Sequence, residues 1–76
     1  MNDYRRKSLD EIKRDIDALS ERLQLIQEDE QTAFDNMPDS LALSERGERA
    51  EAAIDAIESA IGFLEDAQTM IDEACE

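Results

Sequence analysis

The residues able to do chemistry are few in this chain, and none of them makes a catalytic pair. Nucleophilic catalysis needs a hydroxyl or thiol beside a general base. There is no histidine, and the one cysteine, Cys75, sits one residue from the end. The only glycines are Gly47 and Gly62, so no glycine-rich phosphate loop exists. A zinc or copper site is not expected without histidine and with a single thiol. Arg5-Arg6-Lys7 before Ser8 has the form of a basic phosphorylation site. A run this short arises easily by chance, and Ser8 has a simpler use as a helix cap. The chain reads as a non-enzyme with no cofactor and no catalytic or metal residue.

What remains is carboxylate. The 76 residues hold 21 acids against 8 bases, a net charge of −13. Residues 1–14 carry five bases and three acids, whereas residues 15–76 carry three bases and eighteen acids. Eight acids lie in residues 51–76 with no base among them: Glu51, Asp55, Glu58, Glu65, Asp66, Asp72, Glu73 and Glu76. On a helix rising ~1.5 Å per residue that is roughly one charge per 5 Å. Duplex DNA carries one per ~1.7 Å, so mimicry of a nucleic-acid backbone is within physical reach. Such a surface repels nucleic acid and anionic membranes and attracts basic proteins. The bland alternative is that the acids only keep a small protein soluble.

The elements that carry these acids are legible from periodicity. Leu9, Ile12, Ile16, Leu19, Leu23, Ile26, Glu30 and Ala33 alternate spacings of three and four, the pattern of a helical seam. Ser8-Leu9-Asp10-Glu11 fits a capping box, and Asn2 or Asp3 are alternative, earlier caps. Asn36 suits a left-handed C-terminal position, and Pro38 cannot continue the helix. These signals predict a first helix over about 4–35, a loop over 36–43, and a second helix over about 44–75 capped by Ser44. Phe34, Met37, Leu41 and Leu43 are expected to fold the loop over the end of the seam.

The second helix repeats the seam at Gly47, Ala50, Ile54, Ile57, Ile61, Leu64, Gln68, Ile71 and Cys75. Beside it run Ala53, Ala60, Ala67 and Ala74, and next to those Ala56, Phe63 and Met70. Together they make an apolar arc of roughly 160°, with the acids on the remaining face. The two seams interlock in an antiparallel hairpin when paired residue numbers sum to 80, as in Leu9–Ile71, Leu19–Ile61 and Ile26–Ile54. Glu30, the charged seam member, is expected to pair with Arg46 or Arg49. Gln68 is expected to be a second polar device of that kind.

One hairpin does not cover a 160° arc. Ala53, Ala56, Ala60, Phe63, Ala67 and Met70 are therefore the candidate self-association surface. The fold class is all-α: an antiparallel, coiled-coil-like hairpin that dimerises into a four-helix bundle. A foreign helix docked on the same rows is the competing occupant. Arg5-Arg6-Lys7 is followed by no apolar run, and no stretch is long enough to span a bilayer, so the expected location is cytoplasmic.

Two resemblances bear on function. Asp35-Asn36-Met37-Pro38-Asp39-Ser40 followed by Ser44-Glu45-Arg46-Gly47-Glu48 resembles a pattern in small acidic helical proteins encoded by bacteriophages and mobile elements. The match spans about residues 28–62 and contains no catalytic or ligand residue. It implies an accessory protein that binds a basic host protein in the bacterial cytoplasm, in the manner of anti-CRISPR-like or DNA-mimic inhibitors of defence or nucleic-acid enzymes. The expected partner-binding face is Glu51, Asp55, Glu58, Glu65, Asp66, Asp72 and Glu73. Separately, Glu48-x-x-Glu51 with Asp55-x-x-Glu58 is loosely similar to the acidic helices of all-α nucleotide pyrophosphohydrolases, which bind magnesium. Those enzymes turn their acids into a cleft, whereas these acids lie opposite the apolar arc. Two further outcomes stay open: a self-assembling adaptor module without inhibitory role, and a magnesium-dependent hydrolase.

Overall fold

Asn2 starts the first helix, α1 (Asp3–Asp35): its side-chain oxygen accepts the Arg5 N–H at 2.9 Å. The earlier of the expected caps is the one used, and Ser8 lies inside the helix with its hydroxyl donating to the Tyr4 carbonyl. The computed structural model describes residues 1–76 and has no strand. Its remaining elements are a four-residue helix, α2 (Asp39–Ala42), and a long helix, α3 (Glu45–Cys75). α1 and α3 pack against each other as a hairpin, 58 Å long and 15 by 12 Å across.

The turn is more ordered than an open loop. Asn36 ends α1 in a right-handed conformation at φ −89°, and no residue in the chain has a positive φ. The expected left-handed cap is absent because Pro38 at once begins α2, and the Pro38 carbonyl accepts the Leu41 and Ala42 N–H groups. Ser44 does precede α3, but its hydroxyl donates back to the Leu41 carbonyl instead of accepting from α3. Phe34 and Met37 are half-buried at this end, while Leu43 is 85% exposed and covers nothing.

Gly47 is buried where α3 passes α2. A Cβ there would overlap the Ala42 carbonyl oxygen and come within 2.7 Å of Ala42 Cα. The sum-80 register would set Ala33 opposite Gly47, but the atoms nearest a Cβ at position 47 are those of Ala42.

α3 turns its expected seam inward, with Gly47, Ala50, Ile54 and Ile61 buried and Ile57, Leu64, Gln68, Ile71 and Cys75 half-buried. α1 does not. Its half-buried residues are Ser8, Leu9, Lys13, Ile16, Ser20, Leu23, Gln27, Glu30 and Phe34, and none is fully buried. Ile12, Leu19 and Ile26 are 45%, 46% and 54% exposed. The helix is thus rotated from the expected seam, and Lys13, Ser20, Gln27 and Phe34 replace Ile12, Leu19, Ile26 and Ala33. Leu19–Ile61 and Ile26–Ile54 accordingly fail as buried pairs.

The substitution has local causes. Lys13 pairs with Asp72, Gln27 donates to the Ile54 carbonyl at 3.3 Å, and Phe34 brings a large ring to the turn where the other row offers only Ala33. Ser20 is the exception, because its hydroxyl oxygen is enclosed without a partner. An unsatisfied buried hydroxyl costs about 1–3 kcal/mol. Ser20→Ala removes that cost, so we expect it to raise stability by about 1 kcal/mol in urea unfolding. Loss of stability would mean that the hydroxyl is bonded after all.

Candidate functional site

The rotation of α1 gives the hairpin two unlike broad faces. Lys13 bonds to Asp72, and the Gln68 amide donates to the Lys13 carbonyl at 3.2 Å and to the Asp17 carboxylate. Gln31, Phe34, Glu51, Ile54 and Asp55 line an open groove further along the same side. These contacts fix one face as the polar one. At about 100° per residue, it carries Asp10, Asp17, Glu21, Glu28 and Asp35 from α1 beside Glu51, Asp55, Glu58, Glu65 and Asp72 from α3. Asp66 and Glu73 follow on the outer edge of α3. All twelve of these acids are exposed.

The seven acids singled out from sequence therefore share one side of α3, and α1 extends that surface by five carboxylates that the sequence reading did not include. Asp72 stands apart because it faces α1 and is the partner of Lys13. That hydrogen bond is the largest influence on Lys13. It holds the ammonium above its ordinary pKa of 10.5, against a smaller opposing effect of desolvation. On the lysine side the contribution is in place below pH 10.5 and is lost as pH rises past the raised value.

Glu30 is half-buried but meets neither Arg46 nor Arg49; Arg49 pairs instead with Glu45 one turn back on α3. The i,i+4 pair forms within one helix without ordering a second chain segment, which is why it takes the arginine. No three acidic side chains converge tightly enough to hold a metal ion, so Glu48, Glu51, Asp55 and Glu58 are not assembled as a magnesium cluster. No helix is long and apolar enough to cross a membrane.

The opposite face is apolar. The same 100° geometry turns Ile12, Leu19, Ile26 and Ala33 of α1 about 80° from the contact line, to the side that also receives Ala53, Ala60 and Ala67. Phe63 and Met70 flank the alanines, 72% and 66% exposed, and Ala56 is exposed in their row. Ala60 and Ala67 are half-buried, Ala53 exposed. The six proposed self-association residues thus lie together, and the α1 row beside them was hidden from sequence by its assignment to the intrachain seam. The only charged side chains in these rows are arginines at the two ends: Arg5 at the open end, Arg46 and Arg49 at the turn. No family model, curated protein or solved structure matches the chain.

Proposed function

We propose that this protein is a non-catalytic accessory protein of the phage type that docks its acidic face on a basic host protein and thereby blocks a nucleic-acid-binding or defence enzyme. The observation that supports this reading most is the continuity of the negative surface. Ten exposed carboxylates from two helices share one side of a 58 Å rod, and Asp66 and Glu73 continue them onto its outer edge. A basic groove that accepts a nucleic-acid backbone meets a rod of similar charge sign and regular spacing. Self-association through the opposite face, giving a four-helix bundle, is the second part of the proposal. It is supported by the rows of exposed Ala53, Ala56, Phe63 and Met70 and half-buried Ala60 and Ala67 on that face.

The test is capture from bacterial lysate at low salt with the wild type and with Glu58→Lys/Glu65→Lys/Asp66→Lys in parallel. Retained proteins that are basic, bind nucleic acid and disappear with the variant support inhibition by mimicry. Equal capture by both proteins leaves the adaptor reading, in which the apolar face does the binding and the acids serve solubility.

A further inference from the structure

α1 presents three apolar or half-buried rows per heptad where a single partner helix can cover two. α3 does the same, with its alanine row as the third. Three rows per heptad is the pattern of helices inside a bundle, and two that of a simple seam. The uncovered rows of both helices fall on one face. That face is about 45 Å long at ~1.5 Å per residue and about 18 Å wide for two helices ~9 Å apart. It comes to roughly 800 Å² per copy, the area per partner of a standard stable interface. The hairpin alone buries only four of its 76 residues, a small core that leaves a chain of this length marginal by itself.

We infer that a second copy of this chain covers that face, stacked with its turn over the first copy's open end, so that α1 lies antiparallel on α1 and α3 on α3. This rests on the self-association proposed above and is independent of what the acidic face binds. Two stackings are compatible with a two-fold axis, and charge separates them. With turn over open end, the axis passes near Leu19 and Ala60, which lie within about two residues of the same level in the hairpin. Ile12 then meets Ile26 of the second copy, and Ala53 meets its Ala67. On the rim, Asp15 falls beside Arg22 of the second copy and Arg22 beside its Asp15. Phe63 falls beside Ala56 of the second copy. Every one of these matches is made twice, as an isologous interface requires.

With turn over turn, Asp15 would instead lie against Phe63 of the second copy, and the arginines at the turn would meet one another. Stacking the apolar faces also sends the two acidic faces to opposite outer sides, where their repulsion is smallest and screened. The assembly then has two equivalent docking faces.

The test uses the native protein with a nitroxide spin label on Cys75, its sole cysteine, together with light scattering. We expect twice the 8.6 kDa mass of one chain and a label-to-label distance of about 45 Å, from about fifteen residues of helix on either side of Ala60. Twice the mass with a distance under about 25 Å means turn over turn; it overturns the inference and leaves self-association standing. A single-chain mass overturns both and leaves the face to a foreign helix. Leu19→Glu should give the single-chain mass, whereas Leu25→Glu, on the back of α1, should leave the double mass unchanged. A double mass in Leu19→Glu would place the interface elsewhere.

Discussion

Gly47→Ala should lower the melting temperature by roughly 10–20 °C, the largest effect of any single methyl group in this protein. The added Cβ meets backbone, not the end of a flexible side chain: the Ala42 carbonyl oxygen and, at 2.7 Å, Ala42 Cα. Neither can move without displacing α2 or the start of α3, where Gly47 and Ala50 are buried. Overpacking of this kind costs about 1–3 kcal/mol, and in a domain of this size each kcal/mol shifts the midpoint by about 4–8 °C. Gly62→Ala is the internal control, because nothing lies within 4 Å of a Cβ there. It should stabilise the helix by about 0.5–1 kcal/mol. Thermal unfolding followed by circular dichroism reads both, and equal signs for the two substitutions would contradict the packing described at the turn.

The second large effect concerns the acidic face. Glu58→Lys/Glu65→Lys/Asp66→Lys should weaken binding to a captured basic partner by at least about 100-fold at low ionic strength. All three acids are exposed and none takes part in either of the chain's two ion pairs. Reversal therefore removes attraction and adds like-charge repulsion at three places without touching the hairpin. Asp72 is left out of the set because its carboxylate holds Lys13, and its loss would confuse folding with docking. Helicity and melting temperature should be unchanged or slightly raised in the variant. A partner bound equally well by wild type and variant would mean that the acids are not the docking surface.

The two predictions draw on different depths of sequence information. The seam of α3 was legible because its spacings of three and four run unbroken from Gly47 to Cys75, and no competing row is as apolar at the core end. The seam of α1 was not, because hydrophobicity ranks Ile12, Leu19 and Ile26 above Lys13, Ser20 and Gln27. The rotation depends instead on cross-helix bonds to Asp72 and the Ile54 carbonyl, and on Phe34 at the turn. Those are tertiary facts, absent from any one-helix pattern. The turn shows the same limit. Pro38 marked a stop correctly, but a proline suits the start of a helix as well as the end of one, and here it opens α2. Of the candidate surface, the seven acids of α3 could be read directly. Their continuation onto α1 needed the rotation first, and so did the apolar row that widens the opposite face.

Salt dependence is the most direct test that the negative surface is what a partner reads. Affinity for a captured partner, measured by surface plasmon resonance from about 50 to 500 mM salt, should fall at least tenfold as the screening length shrinks from ~14 Å to ~4 Å. An affinity that stays level across that range would contradict docking through the carboxylates.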